Sequence, residues 1–158
     1  MAKFDDTAEK RILRMSLVNK VQVRPLASIK GGMIDFYTPQ ISHETILVQV
    51  PPQIVDDLFV HRFQTDQLLV VKGSFVIVIL QNRRYQYIAL SEDYSTVITI
   101  PPGILHGAIN LSTKACLLVN AVLHHGAADK RDYRPMKPPF PYDLAAAQAA
   151  LAQLEAPA

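Results

Sequence analysis

Two short stretches hold the side chains of this chain that can do chemistry. The first is His61-Arg62-Phe63-Gln64-Thr65-Asp66-Gln67; the second is Pro101-Pro102-Gly103-Ile104-Leu105-His106-Gly107-Ala108-Ile109-Asn110. An imidazole changes charge near neutral pH, so His61 and His106 are candidate proton carriers. Arg62 stays protonated: it can steady an anion but cannot serve as a base. Phe63 offers a stacking face, and Gln64 and Asn110 offer amide hydrogen bonds, the mixture expected of a small-molecule pocket. The site expected has His61, Arg62 and His106 catalytic and Phe63, Gln64 and Asn110 contacting substrate. The alternative is a divalent metal on His61, His106 and either Asp66 or Gln67, with Gln67 the preferred third ligand. That set approaches the two-histidine, one-carboxylate arrangement of non-haem iron sites.

Strands must position both stretches. Val97 to Ile100 is a β-branched run, and it must stop at Pro101-Pro102, which can donate no ladder hydrogen bond. Gly103 suits the left-handed position of a type II turn, so the chain re-enters a sheet at Ile104. Alternation then puts Ile104, His106 and Ala108 on one face and Leu105, Gly107 and Ile109 on the other. Around the first stretch the register is open. A one-residue shift exchanges the two faces of a strand, so either His61 and Phe63 or Arg62 and Gln64 point inward.

The rest of the chain repeats the pattern of short strands. Val21 and Val23, Met33 to Phe36, Ile46 to Val50, Ile54 to Phe63, Leu68 to Val71, Phe75 to Leu80, Tyr85 to Leu90 and Ala115 to Leu123 are separated by turn residues. Gln81-Asn82-Arg83-Arg84 closes a hairpin. With no helix between the strands, this indicates an all-β jelly-roll barrel. The segments expected are an N-terminal helical segment over 1–15, opened by the capping box Asp6-Thr7-Ala8-Glu9, a jelly-roll domain over 16–125, a proline-rich connector over 126–141 and a C-terminal helix within 142–158. Asp143 caps that helix, and Leu144, Ala147, Leu151 and Leu154 recur at helical spacing. His124 and His125 are adjacent and face opposite ways, so they cannot chelate as a pair, and the charge run Asp129-Lys130-Arg131-Asp132 reads as solvated.

A length of 158 residues suits one domain. The net charge of +2 arises from dispersed charges, which excludes a basic arm for nucleic acid. No apolar run reaches the roughly 18 residues of a membrane span, and Asp5, Asp6 and Glu9 stand where a signal peptide is apolar. The single cysteine, Cys116, lies in an apolar run and reads as a small core residue in a reducing compartment. The expectation is a cytoplasmic protein with neither membrane nor nucleic acid as partner.

Pro101, Gly103, His106 and Asn110 fall on a motif of the cupin superfamily, Pro-x-Gly, two residues, His, three residues, Asn. His61 to Gln67, ending at Gly73, resembles a degraded form of the other cupin motif. The chain resembles more narrowly the metal-free cupin branch of the dTDP-4-dehydrorhamnose 3,5-epimerases and related nucleotide-sugar isomerases, through Arg62-Phe63-Gln64 and Pro101 to Gly107. The resemblance spans Leu58 to Leu123. It implies a jelly-roll barrel, a homodimer, a nucleotide-sugar ligand and proton transfer next to a ketone by a histidine base, with a lysine or arginine steadying the enolate and a tyrosine returning the proton. Here the base position falls on Arg62, the lysine falls on or near Asp66, and the strand from Ala115 to Leu123 has no tyrosine. A metal-dependent oxygenase or isomerase and a non-catalytic binding or assembly protein are the rival functions.

Overall fold

The computed structural model describes residues 21–30, 33–38, 40–126 and 132–156. The expected helix over Asp6 to Met15 lies outside them. In chain order the elements are β1 (Gln22–Pro25), β2 (Ser28–Lys30), β3 (Asp35–Tyr37), β4 (Glu44–Val50), β5 (Ile54–Val55), β6 (Leu58–Val60), β7 (Gln64–Lys72), β8 (Ser74–Gln81), β9 (Arg84–Ser91), β10 (Thr96–Ile100), β11 (Leu105–Asn110), β12 (Cys116–His124), β13 (Arg134–Met136) and the helix α1 (Leu144–Glu155).

Two antiparallel sheets form the jelly roll. One has the order β1-β10-β7-β12-β4; the other has the order β13-β6-β11-β8-β9, with β5 added beside β11. Between them lies the main core, to which Val50, Leu68, Val70, Ile98, Ile100 and Leu118 come from the first sheet and Phe75, Ile77, Ile79, Ile88 and Leu90 from the second. A second core forms on the outer face of the six-stranded sheet, where Val76, Val78 and Ile109 meet Ala147, Leu151 and Tyr142. This explains why β8 reads as an unbroken apolar run. Its odd residues face one core and its even residues the other, so no position is left for a polar side chain.

Local chemistry sets the turns. Gly103 has φ +82, as the expected turn requires. Asn82 and Arg83, with φ 50 and 59, are the two central residues of the hairpin in which Gln81 pairs with Arg84, the primed geometry that suits the strand twist. Asp143 caps α1 by accepting from the Ala146 amide at 3.0 Å, where it was expected. Cys116 is fully buried, and burial pushes its thiol up to about 11, consistent with a core residue rather than a nucleophile.

Two expectations change. The stretch from Ile54 to Phe63 is not one strand: it breaks at Asp56-Asp57 and bends again over His61 to Phe63. The first break passes directly over Gly107, where a Cβ would stand 2.7 Å from the Asp57 carbonyl oxygen. Within the proline-rich connector, Arg134–Met136 forms β13, which pairs with β6 as the edge of its sheet. Pro135 is tolerated there because an edge strand need not donate on both sides.

Candidate functional site

The turn before β11 holds its histidine in place from two sides. Gly103 donates its amide to the His61 carbonyl at 2.7 Å, which ties the two chemistry-bearing stretches together through the backbone. His106 then projects from the inner face of β11, 2 % exposed, with Ala108 beside it toward the main core. Its Nδ1 lies 2.8 Å from the Ile104 carbonyl. A carbonyl only accepts, so Nδ1 carries the hydrogen and Nε2 is the atom turned into the interior.

That atom faces Asp66. The Asp66 Oδ2 lies 3.2 Å from His106 Nε2 and 3.6 Å from His61 Nε2, and the ligating atoms of the three residues all fall within 4.8 Å of one another. Despite this proximity Nε2 of His106 has no aligned hydrogen-bond partner, nor does Nδ1 of His61. Oδ1 of the same carboxylate is fully engaged, accepting from Gln64 Nε2 at 2.6 Å and Asn120 Nδ2 at 2.9 Å. Burial alone would push the Asp66 carboxyl up. Opposite a protonated His106, and with Asn120 and Gln64 as donors, that penalty is outweighed and the carboxyl is held at about 2. A lone pair on Nε2 and an ionised carboxylate 3.2 Å apart repel, so the arrangement calls for a cation between or beside them, either a proton or a metal ion.

The open register at the first stretch is resolved by the bend. Gln64 and Asp66 share the inner face of β7, while the turn over 61–63 takes up the odd residue and returns His61 to the same cluster. Asp132 pins this bend. Its carboxylate accepts from the amides of Arg62 and Phe63 and lies 3.8 Å from His61 Nδ1. Tyr133 follows it, exposed, with its ring 5.2 Å from Phe59 and 6.2 Å from His61, so an aromatic wall stands beside the histidines.

The structure thus gathers His61, Gln64 and His106 from the expected site and adds Asp66. It does not gather the others. Arg62 is exposed, and its backbone rather than its guanidinium is what the fold uses. Phe63 is 46 % exposed beside Gly126, outside the cluster. Asn110 lies four residues beyond His106 on β11, about 13 Å along the strand. Its amide is spent on the carbonyls of Val50, Pro51 and Lys114, so no donor remains for a substrate. Gln67, the favoured alternative metal ligand, occupies the opposite face of β7 and donates to Ile41 and Ala121. The carboxylate that completes the histidine pair is Asp66.

Two residues of the site escaped the sequence reading. Asn120 gave a signal, being the one amide within the apolar run from Ala115 to Leu123. Asp132 gave none, because its partners lie some 70 residues earlier. His124 and His125 do diverge as expected, one to Glu44 and the other to Thr65. A groove of about 280 Å³ between α1 and β9 shares no residue with the cluster, so it does not compete for the histidine chemistry.

No family model matches the sequence, and no curated protein resembles it at the sequence level. Solved structures do. A dTDP sugar isomerase from Desulfovibrio desulfuricans superposes with a TM-score of 0.61 at 19% identity, over 75% of this chain and 85% of that one. A dTDP-4-dehydrorhamnose 3,5-epimerase from Elizabethkingia anophelis gives 0.62 at 11% identity, over 76% of each chain. This chain has the cupin-type fold of the nucleotide-sugar epimerases and isomerases. The 3,4-ketoisomerase QdtA from Thermoanaerobacterium thermosaccharolyticum, a mutant solved in complex with TDP-4-keto-6-deoxyglucose, gives 0.60 at 16% identity, over 75% and 88%. Identities this low establish the shared fold alone; the chemistry has to come from the cluster.

Proposed function

We propose that the His61–Asp66–His106 cluster binds a nucleotide-linked keto-sugar and moves a proton at a carbon next to its carbonyl, as an epimerase or isomerase. The observation that carries this is His106 Nε2, buried, without a hydrogen-bond partner and 3.2 Å from a carboxylate held ionised. Such an atom is poised to take a proton. In the reaction the C–H bond breaks, its proton goes to an imidazole nitrogen and its electron pair forms the enolate. The enolate oxygen then needs a donor. With Arg62 facing outward, the second histidine supplies it, since one carboxylate between two imidazoles can balance one imidazolium while the other ring remains the base. Delivery of a proton from solvent to the opposite face of the same carbon gives an epimer, and return of the abstracted proton to the neighbouring carbon gives an isomer.

A divalent metal is the second reading, favoured by the same unpartnered nitrogen. Donor atoms around an ion held at about 2.1 Å lie roughly 3 to 4.2 Å apart; the 3.2 and 3.6 Å separations from Asp66 fit that range, and with all three donors within 4.8 Å of one another a small closure of the two histidines would complete the set. His61, Asp66 and His106 would hold it, leaving open positions, and when bound it would polarise the carbonyl oxygen. Elemental analysis and thermal melting with TDP-4-keto-6-deoxyglucose separate the two. A metal-poor protein whose melting temperature rises with the nucleotide sugar supports proton transfer alone. Near-stoichiometric metal, lost in His106→Ala, overturns it in favour of the metal site.

The working form we propose is a homodimer in a reducing cytoplasm, formed on the outer face of the five-stranded sheet. Val119 opposes Leu47 on one side and Leu69 on the other, making an apolar row across strands, and Leu47 is 66 % and Val71 51 % exposed. A solvated face alternates toward polar residues, so such a row suits a covered one. Light scattering should report a dimer that Leu47→Glu converts to a monomer; a monomeric parent protein would refute it. Among the described residues no helix is long and apolar enough to cross a membrane.

A further inference from the structure

The ladder between β7 and β12 has a gap at the site. Asn120 pairs with Leu68 and Leu123 pairs with Thr65, but the two positions between them on each strand do not pair. Side chains fill the gap from both faces. On the inner face the Gln67 amide donates to Asn120 Oδ1 at 3.0 Å, and on the outer face Gln67 Nε2 donates to the Ala121 carbonyl at 2.9 Å. The first of these bonds settles which way the Asn120 amide points, because only its oxygen can accept from a backbone N–H. Its Nδ2 must therefore face Asp66, to which it donates at 2.9 Å.

We propose that Asn120 is a positioning residue for the reactive centre: it takes the place of a missing ladder bond and aims Asp66, so that one carboxylate oxygen is tied down and the other is reserved for His61 and His106. Gln64 secures the same tied oxygen from the strand's own inner face. An ordinary ladder would carry the backbone N–H of Gln67 to a backbone carbonyl and leave no oriented donor for a buried carboxylate. The splice makes strand pairing and site geometry one interaction. This inference rests on the proton-transfer reading for its catalytic meaning, but its geometry can be tested without any substrate.

The test is Asn120→Asp, which keeps the acceptor for Gln67 and removes the donor to Asp66. Long-range proton–nitrogen correlation spectra at fixed pH should show the Nε2 resonance of His106 displaced in the variant, while the His124 ring, paired with Glu44, is unmoved. With keto-sugar, kcat should fall about tenfold or more, the usual effect of removing an orienting partner, with KM little changed. The exchanged pair, Asp66→Asn with Asn120→Asp, restores a hydrogen bond between the two positions. It should recover melting temperature but neither the His106 signal nor kcat. An unmoved His106 resonance in Asn120→Asp, or recovery of signal and kcat in the exchanged pair, overturns the assignment. A parent protein with no turnover on keto-sugar counts against the proposed reaction, and the substrate-free spectra then decide the positioning role.

Discussion

Strand β11 carries a buried polar side chain near each end, and the two ends have opposite characters. At the far end Asn110 is fully occupied: its nitrogen donates to three carbonyls, and its oxygen accepts from the amide and hydroxyl of Ser112. At the near end His106 uses one ring nitrogen on Ile104 and leaves the other unpartnered beside an ionised carboxylate. Both residues belong to the same spaced motif, and both are 2 % exposed. Burial and motif membership therefore do not separate structure from chemistry here. Satisfaction does: a buried polar group with every partner in place holds the fold together, and one left short of partners is held ready for something else.

The sharpest way to break this contrast is to exchange the expected consequences of the two residues. His106→Gln should lower proton exchange at a keto-sugar by about a hundredfold or more, while leaving the melting temperature close to that of the parent protein. Asn110→Ala should do the reverse, destabilising by roughly 2 kcal/mol as buried carbonyls lose their donor, with turnover per folded molecule unchanged. Denaturant unfolding and exchange rates measured on both variants decide it. If Asn110→Ala abolishes turnover in folded protein, the contrast fails.

Acid should sharpen it. The Asp66 carboxyl is held at about 2, below its ordinary value of 3.8. A depressed carboxyl contributes stability above its unfolded value and loses it as pH falls through the folded one, so the loss should run from about pH 4 toward pH 2 and amount to about 2 kcal/mol. Urea midpoints across that window should fall in the parent protein and flatten in Asp66→Asn, while Asn110→Ala should retain the slope. A smaller effect is expected far from both ends: Asp143→Ala removes the cap of α1 and should cost about 1 kcal/mol, detectable as a lower melting temperature with no change in exchange.

Much of the fold was legible because its determinants are local. The double proline ends β10, Gly103 turns the chain, and period-two alternation assigns His106 and Ala108 to the inner face of β11. The cap at Asp143 and the apolar spacing after it locate α1 to within a residue. What stayed hidden depends on contacts distant in sequence or on departures from regular strand geometry. The bend over His61 to Phe63 interrupts the alternation between His61 and β7, so alternation alone could not say that Asp66 rather than Gln67 joins the histidines. Asp66 and Asn120 lie 54 residues apart. The proline-rich connector gives no sign of its partners, yet its Arg134–Met136 pairs with β6 and its Asp132 pins the bend.

The central claim, that His106 beside Asp66 is the reactive centre, is tested most directly by incubating the protein with TDP-4-keto-6-deoxyglucose in deuterium oxide and following the sugar protons by NMR. The account predicts deuterium entering at a carbon adjacent to the carbonyl with the parent protein and with Arg62→Ala, and none above background with His106→Gln. Exchange that survives His106→Gln, or that vanishes in Arg62→Ala, would contradict it.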